Sequence, residues 1–280
     1  VMLAARLLGI PTISVEQNLR PGLTTRALSR LVDVAALISA ESVSHYPRPR
    51  GLFARAGKPE LVVTGNPVRP DFFTADRESA RKTLGLTPER LTLLVYGGSL
   101  GSAIINKTFL SALESLSQEY WFRTKIQILH VTGRNLAGIA EKESPLGPEA
   151  TKARLRYQAH AYLDNLPLAL AAADLAVCRG GGTTIAELAA AGLPAVIIPW
   201  RGAANNEQLH NSRPLAQAGA AVIMQEDELT PNRLAETIKE LLQETARLEK
   251  MAATARSLAR PGASEEILAV AGRLASAKDN

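Results

Sequence analysis

Short runs of apolar and β-branched residues alternate with helical patterns from one end of the 280-residue chain to the other. Strand candidates lie at 12–15, 35–38, 61–64, 91–96, 126–131, 156–161, 175–178, 195–198 and 221–224. Helical spacing fills most gaps: 2–8, 24–32, 76–84, 102–117, 135–142, 166–173, 183–191, 206–218, 231–243, 245–257 and 263–277. Such alternation implies parallel sheets with helices on both faces. Runs such as LTLLVY and AVIIP are apolar on both alternating faces, as a strand covered on both sides requires. The fold class is α/β, with doubly wound parallel sheets. Two prolines and a polar flank at 65–76 (GNPVRPDFFTAD) break the pattern, and Asp76 is a plausible helix cap for the unit that follows. A second break is Arg260-Pro261-Gly262. The expected organisation is a short α/β piece at 1–68, a full domain at 69–260, and a closing helix at 261–280 that packs back on the first piece.

Composition excludes several classes. One cysteine, Cys178, precludes an internal disulfide and a multi-cysteine zinc site. His45, His130, His160 and His210 are not at metal-ligand spacing, so no protein-held metal and no cofactor are expected. No apolar run reaches the ~18–20 residues of a membrane span. The opening VMLAARLLGIP lacks the charged leader of a signal peptide and reads as a short helix ended by Gly9 and Pro11. Starting in mid-element suggests that residues preceding Val1 are missing. Net charge is +5, and all of the excess lies in residues 1–70, with nine Arg/Lys against four Asp/Glu. The bland reading is a solvated basic face; the functional one is attraction to an anionic lipid surface or a phosphate-bearing substrate. Nucleic acid is disfavoured, because aromatic residues for base stacking are nearly absent there.

Three loops follow buried strands. YGGSLGSAIIN (96–106) ends a strand in Gly97, Gly98 and Gly101 and opens a helix, which suits a phosphate. It lacks the Lys-Ser/Thr of a Walker loop and the spacing of a dinucleotide fingerprint, and alone it could be a tight turn without a ligand. CRGGGTTIAE (178–187) repeats the theme, with Thr183 or Thr184 available as a cap. Glu187, one turn inside, can accept from ribose hydroxyls or merely complement the helix dipole. PWRGAANNEQLHN (199–211) crowds amides and a carboxylate into one stretch, either to read sugar hydroxyls or to face water. All three lie on the carboxyl edge, where open α/β sheets bind ligands.

GGSLGSAIIN, YLDNL, CRGGGTTIAELAAAGLP and PWRGAANNEQLHN, in this order, resemble the successive motifs of the MurG family of peptidoglycan glycosyltransferases. GIPTISVEQNLRPGLTTR and GNPVR extend the resemblance over essentially the whole chain. It implies a GT-B fold, two Rossmann-like domains facing across a cleft, with the N-terminal one incomplete here. It further implies an inverting, metal-independent transfer of GlcNAc from UDP-GlcNAc to undecaprenyl-diphospho-muramoyl pentapeptide, lipid I to lipid II. Carried over by position, Ser99 with the backbone of Gly97, Gly98 and Gly101 would hold the diphosphate, supported by Gly181 and Thr183, with Arg69 nearby. Leu163 would offer its backbone to uracil and Glu187 would bind the ribose. Gln208, with Glu207 and Asn206, would read GlcNAc, and Asn18 would face the cleft from the N-terminal side.

The chain departs from the family pattern in places. The family's first glycine-rich loop, which carries the histidine proposed as base, is absent, and the catalytic base is therefore unassigned. Val15, Leu100, Gly180 and Glu207 stand where the family has His, Gln, Ser and His. The expectation is a chain that binds UDP-GlcNAc weakly with little or no transfer. Two alternatives compete: a GT-B transferase with another UDP-sugar and lipid acceptor, such as a diacylglycerol galactosyltransferase, and a non-catalytic nucleotide-sugar-binding protein. The implied location is peripheral, on the cytoplasmic face of a bacterial plasma membrane. Arg20, Arg26, Arg30, Arg48, Arg50 and Arg55 are the candidate lipid-facing charges.

Overall fold

The computed structural model describes residues 1–46, 59–136 and 155–276. Arg48, Arg50, Arg55 and most of the helix expected at 135–142 fall outside these; Arg134–Leu136 form one 3-10 turn.

A three-stranded parallel sheet comes first, in order β1 (Ile13–Val15), β2 (Val34–Leu37), β3 (Glu60–Val63). Helices α1 (Met2–Leu7), α2 (Leu23–Leu28) and α3 (Ala40–His45) accompany it. Helix α2 ends before its expected limit of 32. The chain then turns into β2 at Asp33, whose carboxylate accepts from the Thr12 amide at 2.9 Å and the Thr12 hydroxyl at 3.0 Å. Helix α3 is short but capped, with the Ser39 hydroxyl accepting from the Ser42 amide.

The second sheet holds six parallel strands in the order β6-β5-β4-β7-β8-β9. They are β4 (Leu91–Tyr96), β5 (Ile126–Val131), β6 (Arg156–His160), β7 (Leu175–Cys178), β8 (Ala195–Ile197) and β9 (Ala221–Ile223). Strand alternation sends Leu93, Val95, Ile126 and Ile128 to one face and Leu94, Tyr96, Leu129 and Val131 to the other. The first face packs on α6 (Ala103–Leu116), through Ile105, Phe109 and Leu113, and on α11 (Pro231–Gln243), through Leu234, Ile238 and Leu242. The second packs on α4 (Asp71–Thr74), α8 (Leu166–Ala172), α9 (Gly182–Ala191), α10 (Glu207–Gln217) and α12 (Thr245–Ser257). Burial of each large apolar side chain contributes about 1.5–3 kcal/mol, so this two-faced core dominates stability.

Helix α5 (Arg77–Thr83) packs on α8 through Ala80 and Ala172 and starts where Asp76 accepts from the Ser79 amide at 2.8 Å. Helix α7 (Tyr120–Lys125) leads into β5. At the amino edge Asp174 accepts from the Thr92 amide at 2.6 Å and from buried Arg81 at 2.7 Å. The last helix, α13 (Ala263–Ser276), returns to the small sheet, where Arg273 pairs with Glu60 at 2.7 Å. Among the described residues no helix is long and apolar enough to cross a membrane.

Candidate functional site

After β4 the chain adds β5 and β6 on one side of it, then returns to place β7 on the other. The crevice outside the carboxyl ends of β4 and β7 is thus the switch point of the sheet, the usual ligand position in open α/β folds. Both glycine-rich loops border it. The first passes through Gly97, Gly98, Ser99 and Leu100, the last three exposed, and folds back at Gly101. Gly101 has φ +83°, and a Cβ there would lie 2.1 Å from the Thr132 carbonyl oxygen. The loops after β4 and β5 therefore meet backbone to backbone. Ser102 then caps α6 by accepting from the Ile105 amide.

Beneath this contact runs a buried chain of hydrogen bonds. Asn106 Nδ2 donates to the Thr132 carbonyl at 2.8 Å, so its Oδ1 accepts from His130 Nε2–H at 3.1 Å. His130 Nδ1 accepts from the Tyr157 hydroxyl at 2.8 Å. Burial pushes the imidazole down to about 4, so it is neutral at physiological pH.

Helix α9 opens the other side of the crevice. It starts at Gly182, with Gly181 as N-cap and no side-chain oxygen capping it. This corrects the expected Thr183 or Thr184 cap: the three glycines let the helix begin earlier, and its first N–H groups have no side-chain partner. Such a terminus favours an anion. A Cβ on Gly182 would lie 2.1 Å from the Gln17 carbonyl oxygen and 3.3 Å from Asn18 Oδ1, so the loop after β1 rests directly on the helix start. One turn on, Glu187 is half-buried, and burial pushes its carboxyl up to about 7, opposed by the positive charge of Arg69. Arg69 lies over the Phe72 ring at 5.3 Å. The structure thus brings Arg69 and Glu187, 118 positions apart in sequence, into one electrostatic field.

The loop after β8 leads to α10. Its last residues, Asn205 and Asn206, have φ of 53° and 54°. Asparagine tolerates this left-handed region better than most residues, and two in succession mark a shape fixed by its surroundings. Glu207 is half-buried at the first position of α10. Gln208, expected to read the sugar, also ties loops together. Its Oε1 accepts from the Gly180 amide at 3.2 Å and the Trp200 amide at 3.0 Å, tying the loops after β7 and β8 together. Only its NH2 group is left for a ligand. Asn18 is likewise committed: Asn211 Nδ2 donates to Asn18 Oδ1 at 2.9 Å, while Asn211 Oδ1 accepts from the Leu19 amide at 2.9 Å. Leu163 sits after the edge strand β6, half-buried against the core and beside Tyr162, whose ring lies 3.9 Å from the Arg134 guanidinium. Ser99 and Leu163 therefore border the β4–β6 half, and Glu187, Glu207 and Gln208 the β7–β9 half. Sequence reading missed the Asn211 staple, the Asn106–His130 support and the left-handed asparagines. Each rests on partners distant in sequence or on backbone angles, and no local motif signals them.

Among the described residues no group of His, Cys, Asp or Glu is arranged to hold a metal ion. Residues 92–267 match the glycosyltransferase family 28 C-terminal domain. The chain is 40% identical over 272 residues to the UDP-N-acetylglucosamine--N-acetylmuramyl-(pentapeptide) pyrophosphoryl-undecaprenol N-acetylglucosamine transferase of Moorella thermoacetica, covering 96% of this chain and 69% of that protein. It is 36% identical over 272 residues to the protein of the same name from Desulforamulus reducens, covering 96% and 68%. Among solved structures, Acinetobacter baumannii MurG superposes with a TM-score of 0.72 at 29% identity, over 96% of this chain and 68% of that one.

Proposed function

Because the chain belongs to the MurG branch of glycosyltransferase family 28, a group of GT-B hexosyltransferases that use UDP-GlcNAc, we propose that it moves GlcNAc from UDP-GlcNAc to a lipid-diphosphate-linked muramoyl pentapeptide, converting lipid I to lipid II. The observation that carries this reading is the start of α9 at the sheet's switch point, without a side-chain cap and one turn from a half-buried carboxylate. In this reading Ser99 and the backbone N–H groups of Gly97, Gly98, Gly181 and Thr183 hold the diphosphate, with Arg69 adding charge, while Gly101, whose N–H donates to the Gly98 carbonyl at 3.0 Å, shapes the turn. Glu187 accepts from the ribose hydroxyls, and the backbone of Leu163 meets the uracil edge. The Gln208 amide group, Glu207 and Asn206 read the GlcNAc hydroxyls. Asn18, held by Asn211, walls the cleft from the small-sheet side.

The muramoyl 4-hydroxyl attacks the anomeric carbon from the face opposite the diphosphate and loses its proton to a base. The bond from that carbon to the diphosphate oxygen breaks, with inversion. Helix N-termini aimed at the diphosphate favour the charge that develops on the departing UDP. Residues 1–68 would serve the acceptor and 69–260 the donor, with the closing helix joining them through Arg273 and Glu60. Arg20 and Arg26, together with Arg30, would draw the small-sheet side to an anionic membrane, at about 1 kcal/mol per cation near such a surface; release from anionic vesicles by salt checks this.

A thermal-shift titration tests the donor assignment. UDP-GlcNAc should raise the melting temperature more than UDP-galactose does. Stabilisation by UDP-galactose alone would point instead to a transferase with another sugar, for which the exchanges at Leu100, Gly180 and Glu207 leave room.

A further inference from the structure

We propose that Arg179 and Glu226 form a positioning pair that sets the sugar-facing loop at 199–206 from behind, without touching the ligand. The inference rests on the donor-site reading above. Arg179 follows β7 immediately, and Glu226 lies just beyond β9. Arg179 Nη1 donates to the Ile198 carbonyl at 3.1 Å and to Glu226 Oε1 at 2.6 Å. The other carboxylate oxygen, Oε2, accepts from the Arg201 amide at 3.2 Å. One ion pair therefore joins the carboxyl ends of β7, β8 and β9. Both side chains are shielded, at 13% and 15% exposure, so solvent screens the pair little.

This pair complements the Gln208 latch. Trp200 and Arg201 are consecutive, and each amide is held by a side chain: Trp200 by Gln208 from α10, Arg201 by Glu226 from the β9 side. The first two residues of the loop are thus clamped from opposite directions. The chain then reaches buried Ala203 and the left-handed Asn205 and Asn206, which set Glu207 and Gln208 at the start of α10. Releasing one clamp frees the loop on its β9 side, while the loops after β4, β5 and β6 keep their own supports. A buried ion pair is weak evidence for stability in itself; its place, behind one loop of the site, points to positioning.

The predicted signature is selective. In calorimetric titrations of the 280-residue chain with UDP and with UDP-GlcNAc, Glu226→Gln should weaken UDP-GlcNAc binding about tenfold, ~1.4 kcal/mol. UDP binding should stay within about twofold, because the phosphate loop of β4 is out of the pair's reach and Gly180, next to Arg179, keeps its own tie to Gln208 Oε1. Glu226→Asp, which keeps the charge, should recover part of the loss. Equal weakening of both ligands, or no change in their ratio, overturns the proposal, whatever happens to the melting temperature. Should Glu226→Gln fail to fold, the ratio in Glu226→Asp decides in the same way. A parent chain that binds neither ligand overturns the donor-site reading instead, so the two failures are distinct.

Discussion

Glu187 gives the donor site a pH dependence whose size follows from its surroundings. Burial lifts its carboxyl from the usual 4.5 to about 7. Ribose hydroxyls donate hydrogen bonds, so the ionised carboxylate is the form that accepts both. With a titration point near 7, roughly one molecule in ten carries that form at pH 6 and roughly nine in ten at pH 8. Apparent affinity scales with the competent fraction. Binding of UDP-GlcNAc should therefore strengthen roughly tenfold from pH 6 to pH 8, about 1.3 kcal/mol. The diphosphate diester of UDP-GlcNAc lacks the phosphate titration near 6 that a monoester shows, so the slope reports on the protein. Glu187→Gln keeps the volume but not the charge. It should bind more weakly at pH 8 by about 1.5–3 kcal/mol, the worth of hydrogen bonds to a charged group, and its affinity should hardly vary with pH. Calorimetry at several pH values measures both. A wild-type affinity constant within twofold across the range, or an equal slope in Glu187→Gln, would remove Glu187 from the ribose seat. Stability moves the opposite way. Without ligand, the folded chain keeps a proton on Glu187 that the unfolded chain has released above about 4.5. This contribution is complete below that value and is lost as pH rises through about 7. Glu187→Gln cannot ionise, so its melting temperature should rise relative to that of wild type over that window.

Gly101→Ala should destabilise the chain by more than ~2 kcal/mol, since it adds left-handed strain to a Cβ placed 2.1 Å from the Thr132 oxygen. Urea denaturation measures it, and a loss under ~0.5 kcal/mol would contradict the close approach of the two loops. His130, pushed down to about 4, stays neutral while the unfolded chain takes up a proton near 6.5. Stability is therefore lost as pH falls from 6.5 to 4, by roughly 3 kcal/mol at pH 4. His130→Gln should flatten that part of the acid slope; an unchanged slope would assign it to other groups.

Strand positions were legible because sheets covered on both faces demand uninterrupted apolar runs. The runs at 91–96, 126–131 and 175–178 coincide with β4, β5 and β7. Helices α3, α4 and α7 were not read, since their four to six residues carry little periodicity, whereas the equally short α1 was marked by the Gly9 and Pro11 that end it. Ser99, the glycines and Glu187 stood out because loops that can seat a phosphate recruit glycine and a helix start. What those motifs do with their hydrogen bonds was hidden. Gln208 looked like a free amide until its oxygen was found on Gly180 and Trp200, and Arg179 looked like a motif residue until Glu226, 47 positions on, came beside it. The pairings of Gly180 with Gln208 and of Arg179 with Glu226 arise from the order in which strands assemble, and the Trp200–Gln208 bond, eight positions apart, depends on the left-handed turn between them.

That order also bears on how sugar preference can change. Each half of the six-stranded sheet is written in one uninterrupted stretch, 91–160 for β4 to β6 and 175–223 for β7 to β9, and the chain passes between halves once, through α8. A single recombination event near Ala173 would exchange the whole sugar-side half while leaving the phosphate loop of β4 intact. The new segment would have to match the ladder pairing Leu93 with Leu175, Leu94 with Ala176 and Val95 with Val177, and also the contacts of Gly182 with Gln17 and of Asn211 with Asn18 and Leu19. Such an exchange would carry Glu187 along with the sugar-facing loop and leave only the Ser99 side of the proposed nucleotide seat in place.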